Sequence, residues 1–116
     1  MKKKKQLLMS DVPEFTSTKS FYNFPCAHRQ HKHDGNCHLI HGYSRSFHIV
    51  FGAQTMTKEG FLVDYGDLDE VKHWLDENYD HTLVIDHDDP WMATFQELHN
   101  AGVCKLIVQE EGPGME

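Results

Sequence analysis

The sequence predicts an α+β fold, in which an antiparallel sheet is combined with two helices. Two observations lead to this prediction. Segments rich in Thr, Phe and Tyr, without a helical apolar period, occur in the first half of the chain. In the second half, apolar residues recur at the spacing of amphipathic helices. With 116 residues, of which 39% are hydrophobic, the chain has the size of one domain with a modest core, which we assign to residues 1–116.

The first predicted strand covers residues 14–24 and leads into a cluster of histidines. Because side chains alternate between the two faces of a strand, Phe24, Cys26 and His28 are expected on one face. His28 is then placed at the end of the strand. The polar residues 29–36 that follow are expected to form a loop.

The second predicted strand covers residues 42–51, and the same alternation puts His41, Tyr43 and Arg45 on one side of it. After a turn, residues 61–65 are expected to return as the other arm of a hairpin. The pairing of these two arms is the reason for predicting an antiparallel sheet.

The first predicted helix covers residues 68–78. Asp67 and Glu70 match a capping pattern, in which a carboxylate accepts from the first-turn amides. Apolar side chains follow at helical spacing, namely Leu68, Val71, Trp74 and Leu75. We expect Trp74 to belong to the core.

The second predicted helix begins at Asp89-Pro90, because Pro is tolerated at the first helical position, and it extends to Gly102. Its buried stripe is expected to comprise Trp91, Phe95 and Leu98. A further strand is predicted over residues 103–109, where apolar residues alternate weakly.

Composition excludes several classes of function. The formal net charge of -7 argues against nucleic-acid binding, which depends on clustered Lys and Arg. No apolar run has the length of a membrane span, and the first residues lack the apolar core and cleavage site of a secretory signal. The three cysteines are odd in number and irregularly spaced, which favours free thiols in a reducing compartment. We therefore expect a cytoplasmic protein with a small-molecule partner.

Residues 24–43 contain five histidines and two cysteines. Neutral imidazole is a preferred ligand of zinc, and a catalytic zinc site needs three protein ligands and one open position. His28 and His41 are the first candidates. The alternative is that the histidines belong to a solvated polar loop without a metal.

Five short motifs follow one another along the chain: Phe24-Pro-Cys-Ala-His28-Arg, Cys37-x-x-x-His41-Gly, Gly60-Phe-Leu-Val-Asp64-Tyr, Asp80-His81-x-Leu83 and Pro113-Gly-Met-Glu116. Each is weak alone, but the five in this order are specific. From about residue 15 to its end, the chain resembles the 6-pyruvoyl-tetrahydropterin synthase and 6-carboxytetrahydropterin synthase family. The three residues between Cys37 and His41 are similar to the bacterial 6-carboxytetrahydropterin branch.

The resemblance implies a role for each matching residue. His28 and His41 would bind a zinc ion, Cys37 would be the proton-abstracting base, and Asp80 and His81 would complete a proton relay. A thiol becomes a usable base when a nearby cation lowers its pKa, which zinc and imidazoles would do for Cys37. The alternatives are a small buried hydrophobe for Cys37 and a solvated helix-end pair for Asp80 and His81.

One position departs from the family pattern. Tyr43 stands where the family has the second His of a His-Gly-His pair, so the third zinc ligand is open. His33 on the neighbouring loop is our first choice, with Tyr43 and His31 as alternatives. Glu116 aligns with an acidic, substrate-binding residue of the family.

The resemblance also implies a fold and a function. The fold would be the tunnelling fold, an antiparallel sheet with two helices packed on one face, which associates into a homo-oligomeric ring or barrel, as a trimer or hexamer. The function would be that of a zinc-dependent lyase that converts 7,8-dihydroneopterin triphosphate to 6-carboxytetrahydropterin for queuosine biosynthesis. A 6-pyruvoyl-tetrahydropterin synthase and a non-catalytic metal- or pterin-binding paralogue are the alternatives. Residues 110–116 resemble a helix start, so we expect that a C-terminal helix and strands are missing.

Overall fold

The computed structural model describes residues 12–110. The described chain has the order β1 (Phe15–His28), β2 (His41–Ala53), α1 (Asp69–Tyr79), β3 (Thr82–Asp86), α2 (Met92–Asn100) and β4 (Leu106–Gln109). Two 3-10 turns, Asn36–His38 and Tyr65–Leu68, precede β2 and α1. The strands form one sheet in the order β2-β1-β3-β4. The predicted α+β class is confirmed.

The long hairpin of the sheet is formed by β1 and β2, which pair antiparallel from Phe15 opposite Ala53 to His28 opposite His41. A register shift between Phe21 and Phe24 accommodates an extra residue, and it keeps both phenylalanines on the same face. The cross-strand pairing brings the end of β1 next to the start of β2. This is how the fold brings His28 and His41 together.

The prediction of a strand at residues 61–65 is wrong. A tight turn closes just before it, where the amide of Thr57 donates to the carbonyl of Phe61 at 2.6 Å. The segment is then attached to β1 by a side chain, because the hydroxyl of Tyr65 donates to the carbonyl of Thr18 at 2.6 Å. β2 forms its hairpin with β1, so residues 61–65 do not pair with β2.

The strand β3 was not predicted, and it makes the sheet mixed. It pairs parallel with both β1 and β4, so the predicted antiparallel pairing holds only for β1 and β2. Residues 82–85 are all buried. A strand covered on both faces has no apolar-polar alternation, which is the pattern that marks a half-exposed strand.

The two helices pack on opposite faces of the sheet, so the expectation that both lie on one face is wrong. Leu75 of α1 packs in a cluster with Phe21 and Phe24 of β1. Phe95 of α2 packs in a second cluster with Leu83 and Ile85 of β3, and Ala27 of β1 packs against that cluster. Because neighbouring residues of a strand point to opposite faces, the buried His28 lies on the α1 face and Ala27 on the α2 face.

The predicted extents of α1 and α2 agree with the structure to within three residues. The helix starts differ in detail: Asp64, not Asp67, accepts a first-turn amide, that of Gly66 at 2.9 Å. Trp74 and Trp91 are 56% and 58% exposed, so their assignment to the core is wrong. Leu98 is also exposed, which reduces the predicted stripe of α2 to Phe95.

The predicted strand at residues 103–109 is confirmed in its second half, as β4. The described helices are all too short to be transmembrane spans. The initial Lys run and Glu116 lie outside the described residues.

Candidate functional site

Two imidazoles face each other at the end of the hairpin. His28 ends β1, His41 begins β2, and their Nε2 atoms are 3.0 Å apart. The rings are nearly perpendicular, with centroids 4.5 Å apart. His28 is fully buried and His41 is half-buried. The hairpin therefore presents two nitrogen ligands at one point.

The partners of the other ring nitrogens indicate where the protons lie. Nδ1 of His41 is 2.7 Å from the carbonyl of Leu39, which can only accept, so His41 carries its proton on Nδ1. Nδ1 of His28 is 3.2 Å from a guanidinium nitrogen of Arg45, which can only donate. His28 therefore carries its proton on Nε2 and donates it to Nε2 of His41.

The two imidazoles fit a zinc ion. With bonds of about 2.0–2.1 Å, two ligands of a tetrahedral zinc are about 3.3 Å apart, close to the observed separation of the Nε2 atoms. Binding would require His28 to move its proton from Nε2 to Nδ1. Nδ1 of His28 would then carry a hydrogen that points at an N–H group of Arg45. The guanidinium would therefore have to turn away.

The ring of Tyr43 lies next to both histidines. Its ring centroid is 5.9 Å from that of His28 and 5.4 Å from that of His41. The guanidinium carbon of Arg45 is 4.8 Å from the centre of the Tyr43 ring. Such a cation-π contact holds the positive charge of Arg45 close to the two histidines.

Replacing Arg45 with Gln is expected to tighten zinc binding by on the order of tenfold. The reason is that a positive charge a few Å from a divalent ion costs on the order of 1 kcal/mol, and here it also opposes the required proton shift. Isothermal titration with zinc chloride measures the change. Lys72→Gln on the surface of α1 is the control and should leave the affinity unchanged. An unaltered affinity in Arg45→Gln would show that Arg45 does not oppose the metal.

The histidines proposed as the third ligand lie elsewhere on the loop. Nδ1 of the exposed His33 accepts the amide of Gly35 at 2.9 Å. Nε2 of His31 is 2.8 Å from Oδ1 of Asp88. Among residues 12–110, the group of three metal-ligand side chains whose donor atoms all lie within 4.8 Å of one another is His31, Asp86 and Asp88.

Cys37 lies in the 3-10 turn that precedes β2, where it is half-buried. Its carbonyl accepts the amide of Gln30 at 2.8 Å, which closes the loop on itself. An open cavity of about 460 Å³ is lined by Cys37 together with Asn36, Leu39, Ile40, His41 and Tyr43. Cys37 and His41 therefore line the same cavity, and the buried His28 lies behind His41.

Asp80 and His81 connect α1 to β3 and form a direct pair. Oδ1 of Asp80 is 2.8 Å from Nδ1 of His81, which orients an exposed imidazole. The backbone of His81 has φ of 55°, a left-handed conformation that is uncommon for residues other than glycine. Its amide donates to the carbonyl of Pro25 at 2.6 Å, which holds the strained residue against β1.

His81 lines a second cavity, of about 470 Å³, which also includes Tyr43. Tyr43 thus lines both the cavity that contains Cys37 and the one that contains His81. Glu116, the expected substrate-binding residue, is outside the described residues.

No pattern in the sequence indicates the buried ion pair beside the site. Arg29 donates from Nε to Oδ2 of Asp89 at 2.6 Å and from a terminal nitrogen to Oδ1 at 3.0 Å. Oδ1 of Asp89 also accepts the amide of Trp91, so the pair joins the loop after β1 to the start of α2. The predicted strand alternation puts Arg45 on the same side of β2 as His41, and this could have identified it as part of the site.

Comparisons with known proteins agree with the resemblance. The family model of 6-pyruvoyl tetrahydropterin synthase matches residues 16–116. A 6-carboxy-5,6,7,8-tetrahydropterin synthase from Rickettsia conorii is 32% identical over 94 residues, which are 80% of this chain and 67% of that protein. The protein of the same name from Bacillus subtilis is 36% identical over 55 residues, which are 47% of this chain and 36% of that protein.

A solved structure shows the same fold. An uncharacterized protein from Wolinella succinogenes superposes with a TM-score of 0.63 at 23% sequence identity. The match covers 76% of this chain, and it spans 53% of the Wolinella chain. Together with the match of the family model over most of the sequence, this makes the assignment plain: the chain belongs to the 6-pyruvoyl tetrahydropterin synthase family.

Proposed function

We propose that this chain is a metal-dependent lyase that acts on 7,8-dihydroneopterin triphosphate and gives 6-carboxytetrahydropterin. One observation carries the proposal: the two Nε2 atoms of His28 and His41 converge at 3.0 Å, and His41 lines a cavity that Cys37 also lines. The names of the Rickettsia and Bacillus relatives support this product over 6-pyruvoyl-tetrahydropterin. On this proposal the product serves queuosine biosynthesis.

Each side chain has a proposed role. Cys37, as the thiolate, removes a proton from the side chain of the substrate. The imidazole of His81, oriented by the carboxylate of Asp80, gives and takes protons on the other side of Tyr43. His28 and His41 hold a zinc ion, which when bound stabilises negative charge on substrate oxygens. Tyr43, with its ring next to both histidines, is the proposed wall of the substrate site.

The setting of the reaction is part of the proposal. Three cysteines are free in the described chain, which supports a reducing compartment such as the cytoplasm. The half-open cavities around Tyr43 favour a homo-oligomer, a trimer or hexamer, in which a second copy covers them. The partner is a small pterin, and no nucleic acid or membrane is involved.

A second candidate function rests on Tyr43. A phenol is a poorer zinc ligand than imidazole, and the two described histidines offer only two nitrogens. A non-catalytic paralogue that binds metal or pterin would tolerate this arrangement. It predicts bound zinc without turnover.

The test combines metal analysis with an activity assay. We expect the parent protein to bind zinc through His28 and His41, and His41→Ala to lower the affinity of this site at least 100-fold because one of two strong ligands is lost. His48→Ala, at an exposed position further along β2, is the matched control and should leave the affinity unchanged.

The parent is then incubated with 7,8-dihydroneopterin triphosphate and zinc, and the products are separated. Formation of 6-carboxytetrahydropterin supports the proposed lyase, and formation of 6-pyruvoyl-tetrahydropterin would assign the other reaction of the family. Zinc binding without either product would favour the non-catalytic paralogue. Undiminished zinc affinity in His41→Ala would contradict the proposed ligands.

A further inference from the structure

A second group of metal-ligand side chains lies at the same edge of the sheet as the histidine pair. Because β1 and β3 are parallel, the loops after them leave from the same edge. His31 comes from the loop after β1, and Asp86 and Asp88 come from the end of β3 and the loop after it. Nε2 of His31 is 2.8 Å from Oδ1 of Asp88 and 3.8 Å from Oδ2 of Asp86.

These distances are close to those between ligands of one ion. Ligands with bonds of about 2.0–2.2 Å to a shared metal are roughly 2.9–3.4 Å apart, and the two observed distances lie on either side of that range. The side chains of His31 and Asp86 are only 10% and 14% exposed, whereas that of Asp88 is 40% exposed, so two of the three ligands are shielded from solvent. The arrangement is therefore a partly buried pocket with one nitrogen and two oxygen donors.

The loops that carry these ligands are held in place independently of them. The buried pair of Arg29 and Asp89 joins the same two loops, two residues before His31 and one residue after Asp88. A site that is fixed by its surroundings loses little conformational entropy when an ion binds. The positions of the three ligands are thus set without the ion.

The local charge favours a cation. The two carboxylates face one ammonium group, because Nζ of Lys32 is 2.9 Å from Oδ2 of Asp88. With His31 neutral, the two carboxylates and the one ammonium group leave a net charge of about -1. Because a half-buried carboxylate such as Asp86 is costly to leave unpaired, a bound cation would stabilise it.

We propose that His31, Asp86 and Asp88 form a second divalent-cation site, separate from the histidine pair, for a transition ion such as Zn²⁺ or Mn²⁺. Imidazole selects such ions over Ca²⁺ and Mg²⁺, which prefer oxygen ligands only. The ion replaces the proton that His31 shares with Asp88, and it links the loop of Cys37 to the start of α2. Lys32 competes with the ion for Asp88.

The experiment is a zinc titration of the full chain in which His41→Ala removes the first site. In this background we expect one remaining zinc per chain, and adding Asp86→Asn or His31→Gln should weaken its binding at least tenfold. His48→Gln is the matched control, because His48 is an exposed histidine of β2 that does not belong to the group, and it should change the affinity less than twofold. Undiminished binding in both double variants, or no zinc in His41→Ala alone, would overturn the proposal.

A second variant distinguishes an effect on the metal site from loss of folding. Lys32 is exposed, and Lys32→Met in the His41→Ala background should tighten the remaining zinc site several-fold, because it removes the competing cation. A gain of affinity cannot result from unfolding, and a loss or no change would contradict the proposed role of Asp88. Since the readout is zinc binding without the His41 ligand, these results are independent of whether the proposed lyase activity is found.

Discussion

Asp89→Asn is expected to lower the free energy of unfolding by about 3–5 kcal/mol, because it leaves a charged guanidinium buried without its carboxylate. The side chain of Asp89 is 1% exposed and that of Arg29 is 16% exposed, so water cannot easily replace the lost partner. The substitution also weakens the acceptor for the amide of Trp91 at the start of α2. Urea or thermal denaturation monitored by circular dichroism measures the loss.

The matched control is Asp88→Asn, one residue away. Asp88 is paired with Lys32 at the surface, and such exposed ion pairs contribute about 0–1 kcal/mol. The comparison is made with a chelator present, so that metal binding does not add to the stability of the parent. Similar losses in the two variants would mean that the pair of Arg29 and Asp89 does not stabilise the fold beyond an ordinary surface contact.

Local patterns in the sequence predicted both helices and three of the four described strands, the last of these only in its second half. Strand alternation placed Phe24, Cys26 and His28 on one face, and all three are buried in the structure. Helical spacing predicted the extent of α1, and the apolar stripe that it predicted includes Leu75, the buried residue of that helix. These predictions succeed because each depends on a period of two or of 3.6 residues within one element.

The pairing of elements could not be read from such periods. β3 was overlooked because its residues 82–85 are buried on both faces and show no alternation. In place of β3, the sequence predicts a strand at residues 61–65, and the expected hairpin of this strand with β2 is the reason for predicting an antiparallel sheet. The resemblance implies two helices on one face, but α2 lies on the opposite face because Phe95 packs on side chains of β3.

Contacts between distant residues explain the remaining differences at the site. Arg29 and Asp89 are 60 positions apart, and His31 and Asp88 are 57 apart, so no local motif joins them. The sequence offered His31 and His33 as possible third ligands because they are near His28 in the chain. In the folded protein, the side chain of His31 turns towards the loop after β3, which only the parallel pairing of β1 and β3 brings close.

Cys37→Ala is expected to reduce kcat for cleavage of 7,8-dihydroneopterin triphosphate by roughly 10²–10⁴-fold, the usual contribution of a general base. Zinc affinity and thermal stability should change little, because the side chain of Cys37 is half-buried and the substitution removes only its sulfur atom.

Cys104→Ala is the matched control. The half-buried thiol of Cys104 packs against the α2 cluster on the other face of the sheet, so this variant should turn over substrate like the parent. Both variants are assayed with zinc at saturation, and the zinc content is measured on the same samples. Turnover at the parent rate in Cys37→Ala would mean that the thiol is packing only, and it would favour a protein that binds metal or pterin without catalysis.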